Sequence, residues 1–133
     1  MKIKNNDVPK RVLVTGASGF IGRHCLPILL ARGYDVHAVD IIIPENNFCG
    51  VQWHDVNLLN KERALELIET IHPTHLLHFA WYAKAGEYWH SIENIRWLEA
   101  SLHLLQAFQK TGGVRFVMAG TCAEYDWNFG YCS

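Results

Sequence analysis

The chain has 133 residues, half of them hydrophobic, with 12 Lys and Arg against 13 Asp and Glu and a formal net charge of −1. That length and composition suit one domain with a substantial core, and the charge balance gives no electrostatic footing for nucleic acid or an anionic membrane. No apolar run approaches the length of a membrane span. Residues 1–10 form a polar lead in which Met1-Lys2-Ile3-Lys4-Asn5-Asn6-Asp7 lacks the apolar core of a signal segment, which predicts a cytoplasmic protein. Four cysteines, Cys25, Cys49, Cys122 and Cys132, show no C-x-x-C pairing and read as reduced thiols, with Cys25 as a core packer.

In chain order, the β-branched run Val12-Leu13-Val14 predicts a buried strand over 11–15. It feeds directly into Gly16-Ala17-Ser18-Gly19-Phe20-Ile21-Gly22, and a helix is expected over 20–31. Gly16, Gly19 and Gly22 follow the G-x-x-G-x-x-G form of the dinucleotide fingerprint: a tight turn, a close backbone approach to pyrophosphate, and close helix–strand packing. The amides at the helix start then face the phosphates, whose charge the helix dipole favours. A second strand over 35–40 ends at Asp40, where a carboxylate accepts hydrogen bonds from a ribose diol. Ile41, Ile42 and Ile43 follow, with no cation to neutralise a 2′-phosphate, so the expected cofactor is NAD in preference to NADP.

Further strands are expected over 50–54, 74–79 and 114–119, and helices over 60–71 and 91–110. The first of these helices carries Leu65, Ile68 and Ile71, begins after Asn60 and stops before Pro73. The second carries Ile95, Leu98, Leu102, Leu105 and Phe108 as one apolar face and ends at Gly112-Gly113. Apolar strands alternating with helices predict an α/β fold, a Rossmann-type doubly wound parallel sheet of order 3-2-1-4-5 covered on both faces. Its ligand crevice lies between the first and fourth strands.

Three more strand tips can carry chemistry. Asp55 stands where a carboxylate receives an adenine amino group, or is an ordinary loop acid. The small Ala80 lets backbone lie against a cofactor, and Thr121 points a hydroxyl at the nicotinamide end. His72, His75 and His78 are three apart, but Pro73 intervenes and strand geometry puts the last two on opposite faces, which disfavours a metal site. Trp81, Tyr82, Tyr88, Trp89 and Trp97 either line a substrate cleft or fill a gap between helix and sheet.

Thr15-Gly16-Ala17-Ser18-Gly19-Phe20-Ile21-Gly22 resembles the signature of the extended short-chain dehydrogenase/reductases, the NAD-dependent epimerase/dehydratase family of nucleotide-sugar enzymes. Asp40, Asp55-Val56, His78-Phe79-Ala80 and Gly120-Thr121-Cys122-Ala123-Glu124-Tyr125 fall in that family's order, from about Arg11 to Tyr125. The resemblance implies that Gly16, Ser18, Gly19, Phe20, Ile21 and Gly22 cradle the NAD pyrophosphate and that Asp40 holds the ribose. It further implies that Asp55 and Val56 flank adenine, that Phe79, Ala80 and Lys84 touch the cofactor, and that Asn94 matches a helix asparagine. Thr121 matches the catalytic Ser/Thr that hydrogen-bonds a sugar hydroxyl or keto oxygen.

Two departures qualify the resemblance. Cys122 and Ala123 stand where sugar dehydratases carry an acid pair, which disfavours 4,6-dehydration. The family's Tyr-x-x-x-Lys pair is expected beyond Thr121, and the sequence reaches Ser133 without it, Tyr131 having only Cys132 and Ser133 after it. Residues 11–133 therefore read as the NAD-binding half of an oxidoreductase acting on a nucleotide sugar, inactive alone and expected to self-associate. The alternative is a non-catalytic nucleotide-binding or partner-dependent assembly module.

Overall fold

The computed structural model describes residues 10–46, 48–126 and 128. Five parallel strands, β1 (Arg11–Thr15), β2 (Asp35–Asp40), β3 (Val51–Asp55), β4 (His75–His78) and β5 (Arg115–Met118), form one sheet in the order β3-β2-β1-β4-β5. This is the Rossmann-type order expected from the alternation of strands and helices. Helix α1 (Phe20–Ala31) lies against one face of the sheet, and α2 (Lys61–Ile71) and α3 (Glu93–Lys110) against the other.

Alternation along the strands divides the core in two, because successive side chains point to opposite faces. Val12, Val14, Val36 and Ala38 pack with Leu26 of α1. Leu13, Val39 and Leu76 pack with Leu67 and Ile68 of α2 and Leu104 and Phe108 of α3. The same alternation separates two histidines: His75 meets Tyr34 on the α1 face, whereas His78 faces Phe116 on the other.

Helix boundaries follow local chemistry. Asn60 caps α2 by accepting the Arg63 amide at 3.0 Å, and His72 ends it in the left-handed region at φ 49° just before Pro73. The Ser91 hydroxyl accepts the Glu93 amide, so α3 begins at Glu93 and not at 91. Gly50, at φ 89°, completes a turn that delays β3 by one residue.

Two expectations are corrected. Ile95, Leu98, Leu102 and Leu105 do not face the sheet; they are exposed, Ile95 by 63%. Of the expected face only Phe108 is buried, and α3 packs inward through Ala100, Ser101, Leu104 and Ala107. The small residues let the helix approach closely, which turns the larger stripe outward. Cys25 is only half-buried and belongs to neither core cluster.

Candidate functional site at the strand C-termini

The glycine turn is shaped by backbone contact. Gly16 adopts φ +61°, and a Cβ there would stand 2.8 Å from the Ala80 amide nitrogen. A Cβ on Gly22 would meet the Gly16 carbonyl oxygen at 2.4 Å. Only hydrogen side chains fit at these two points, so β1, α1 and the segment after β4 converge without side chains between them. Helix α1 then starts at Phe20 with no side-chain cap and no acid in its first turn, leaving its leading amides and dipole for an anion.

Beside this turn a cleft of about 570 Å³ opens at the carboxyl ends of β1, β2 and β4, a size usual for small-molecule sites. Gly16, Ser18, Gly19, Phe20, Ile21 and Gly22 form one side of it. Asp40 and Ile41 bound it at the tip of β2, Val56 at the end of β3, and Phe79 and Ala80 at the end of β4. Ten of the thirteen sequence-derived candidates thus share one concavity.

The other three lie elsewhere. Asp55 is exposed at the end of β3, in register with Asp40 but off the cleft lining. Lys84 pairs with Glu87 at 2.6 Å and does not line the cleft, though it directly follows the lining residue Ala83. Thr121 is exposed and its amide donates to Glu124 Oε1 at 2.8 Å, closing a single 3-10 turn over Cys122–Glu124. Asn94 accepts from Trp81 Nε1 at 2.9 Å and donates to the Tyr88 carbonyl, so it ties the aromatic loop to α3 instead of facing the cleft.

Asp40 does more than end a strand. Its Oδ2 accepts the Ser18 amide at 3.0 Å and the Ser18 hydroxyl at 2.8 Å, and Oδ1 accepts the Ile41 amide at 2.8 Å. The carboxylate therefore fastens the glycine turn to β2, and its oxygens retain lone pairs for further donors. A phosphate on a ribose held here would meet this negative charge.

The far wall takes three of the five aromatics that the sequence offered as either cleft lining or gap filling, and adds Glu93. Trp81, Tyr82, Glu93 and Trp97 close the cleft opposite the glycine turn, while the rings of Tyr88 and Trp89 meet outside it at a tilt of 34°. The Tyr82 hydroxyl donates to Glu87 Oε2 at 2.9 Å, which pushes its pKa further above the ordinary tyrosine value. Tyr82 is thus unsuited to act as a base.

A buried polar chain underlies the floor. Thr15 Oγ1 lies 2.7 Å from His78 Nδ1, and His78 Nε2 lies 2.8 Å from Ser101 Oγ. Burial pushes the His78 pKa down to about 4, so the ring is neutral at physiological pH. A histidine inside the run Leu76-Leu77-His78-Phe79 was the available signal, because a buried polar ring needs partners. Among the described residues no group of His, Cys, Asp and Glu is arranged to hold a metal ion, and no helix is long and apolar enough to cross a membrane.

Residues 12–130 match the NAD dependent epimerase/dehydratase family. A relative from Aggregatibacter actinomycetemcomitans, dTDP-6-deoxy-L-talose 4-dehydrogenase (NAD(+)), is 33% identical over 76 residues, covering 54% of this chain and 27% of its own length. The crystal structure of the Thermus thermophilus UDP-glucose 4-epimerase in complex with NAD is similar at 35% identity and a TM-score of 0.75, over 84% of this chain and 37% of that one. The UDP-glucose 4-epimerase of Brucella ovis in complex with NAD is similar at 27% identity and a TM-score of 0.76, over 87% and 37% respectively. The chain spans little more than a third of those solved structures.

Proposed function

The chain belongs to the NAD-dependent epimerase/dehydratase family, and from that premise we propose that residues 11–133 are the NAD-binding half of an oxidoreductase acting on a nucleotide sugar. The observation that carries this reading is the junction of the glycine turn with Asp40 at one end of an open cleft. Gly16 and Gly22 leave backbone-only approaches, the start of α1 meets the pyrophosphate, and Asp40 takes the adenosine ribose hydroxyls. Val56, at the end of β3, would flank the adenine, and Phe79 and Ala80, at the end of β4, would touch the cofactor; all three line the cleft. Bound there, NAD supplies a hydride acceptor and donor for a sugar carbon. The similar proteins named with NAD and with nucleotide-sugar activities support the cofactor and the substrate class.

Within this reading Thr121 positions a sugar hydroxyl, and Asp55 and Lys84 contribute from the rim. None of the three is placed to take the hydroxyl proton as hydride leaves, and Tyr82, whose pKa its bond to Glu87 raises, is a poor base. The 133-residue chain is therefore expected to bind the cofactor without turning over a nucleotide sugar.

Titration calorimetry tests the assignment. NAD should bind, and NADP should bind more weakly because its 2′-phosphate meets the Asp40 carboxylate. Asp40→Asn should narrow the difference. Absence of heat with NAD, or preference for NADP, would overturn the cofactor assignment. NADH formation by the isolated chain from any nucleotide sugar would overturn the account of the missing base.

A further inference from the structure

The polar chain beneath the cleft has a proton order that its geometry dictates. The amides of Phe79 and Ala80 each lie 3.1 Å from Thr15 Oγ1. A backbone amide can only donate, so the Thr15 oxygen accepts from both and its own hydrogen must go to His78 Nδ1, at 2.7 Å. That nitrogen is then an acceptor, and the ring proton sits on Nε2, which donates to Ser101 Oγ at 2.8 Å. The Ser101 hydrogen in turn goes to the Trp97 carbonyl, one helical turn back, at 2.7 Å. The Phe79 amide also reaches the Thr15 carbonyl at 3.3 Å, but the Ala80 amide still donates to Thr15 Oγ1, and His78 Nδ1 is the acceptor the structure shows for the Thr15 hydrogen, so the order of the remaining protons is unchanged.

The same series touches three walls of the cleft. Ala80 is floor, and its amide nitrogen abuts the position where Gly16 tolerates only hydrogen. Trp97 is far wall, and Glu93 stands one turn before it on α3. Thr15 is the residue that enters the glycine turn. Thr15 is fully buried, and His78 is 2% and Ser101 6% exposed, so water does not compete for these bonds.

We propose that His78, held as the Nε2–H tautomer between Thr15 and Ser101, is a positioning residue that sets the cleft floor at Phe79-Ala80 and the α3 wall at Trp97 in one fixed relation to the glycine turn. The role rests on the assignment of the cleft to a dinucleotide. A histidine serving only as core filling would give stability without bearing on ligand affinity, and the two differ in what mutation changes.

Long-range proton–nitrogen NMR on the chain labelled with nitrogen-15 reads the tautomer without any ligand. His78 should be neutral with its proton on Nε2 from about pH 5 to 8. A proton on Nδ1, or an imidazolium at neutral pH, overturns the proton order and the proposal with it. Calorimetry with NAD on folded variants then reads the positioning. Ser101→Ala strips Nε2 of its acceptor and should weaken NAD by roughly three- to tenfold, the scale of one hydrogen bond. Ser101→Thr keeps the hydroxyl and should stay within about twofold. Thr15→Val should match or exceed the loss in Ser101→Ala if it folds, and the Ser101 pair decides the matter if it does not. Equal affinity in the wild type, Ser101→Ala and Ser101→Thr overturns positioning while leaving the dinucleotide assignment intact. No NAD binding by the wild type, with the expected tautomer in place, overturns the assignment and the positioning role toward it, and leaves a buried hydrogen-bond chain.

Discussion

Three glycines at equal spacing make different demands on this chain. A methyl group on Gly22 would press to 2.7 Å from Ala17 Cα as well as on the Gly16 carbonyl, and backbone cannot yield as a flexible side chain would. Gly22→Ala should cost about 1–3 kcal/mol or prevent folding, measured by urea denaturation. Gly19 has an ordinary negative φ, is exposed, and a Cβ there meets only the Gly16 carbonyl, at 3.1 Å. Gly19→Ala should fold with a loss below about 1 kcal/mol yet lose NAD affinity, because its methyl occupies the approach to the pyrophosphate. Calorimetry showing unimpaired NAD binding by folded Gly19→Ala would move the cofactor away from this turn. His78 gives a pH prediction at the same scale. Its pKa falls from 6.5 unfolded to about 4 folded, so the unfolded state holds the extra proton between those values. The stability from keeping the ring neutral is complete above about pH 6.5 and is lost as pH falls toward 4, to the extent of about 3 kcal/mol. His37, His54 and His75 shift in the same direction through burial and add to this acid lability. Urea titrations at pH 7 and pH 5 should show the loss, and His78→Gln, though less stable at pH 7, should show a shallower pH slope. An unchanged slope in that variant would place the buried proton elsewhere.

At the scale of elements, legibility followed the range of the forces. The glycine turn, the acid at the tip of β2, the Asn60 cap and the stop at Pro73 are set by contacts close in sequence, and each stands within a residue of where the sequence placed it. The α3 face depends on distant partners. Two apolar stripes run along this helix, and periodicity cannot say which one the sheet takes. The sheet takes the smaller stripe, Ala100, Ser101, Leu104 and Ala107, because small side chains allow a closer approach. The hydrogen bond from His78 to Ser101 also needs that rotation of the helix. Glu93 was missed as cleft wall, and Trp97 was left open between cleft lining and gap filling, for the same reason: their orientation follows from the helix rotation and not from a motif. The two leucines of α3 should therefore respond differently to truncation. Leu104→Ala, at a fully buried position, should cost about 2–5 kcal/mol, whereas Leu102→Ala, 52% exposed, should cost under about 1 kcal/mol. Equal losses in thermal or urea unfolding would mean that α3 sits rotated from this orientation.

The outward stripe of α3 and the outer side of β5 bear on the molecule as a whole. β5 ends the described sheet with a single neighbour, β4, so half of its backbone groups have no strand partner in the sheet. Val114, just before β5, is 76% exposed, and Val117 and Met118 on the strand are also exposed. With Ile95, Leu98, Leu102 and Leu105 they give the chain extensive uncovered apolar surface, of a kind that monomers seldom present to water. We expect this 133-residue chain to cover it with a second copy of itself, α3 against α3 or β5 against β5. The expectation has a sharp signature because the stripe contributes little to the fold of one chain. Leu98→Glu with Leu102→Glu should leave unfolding within about 1 kcal/mol of the wild type, since neither position is buried. The same pair should shift sedimentation toward the monomer, because two charges would enter an apolar contact. A wild-type chain that sediments as a monomer at high concentration would refute self-association altogether. Association that persists in the double variant would move the contact from α3 to the β5 edge, where backbone pairing does not depend on those side chains.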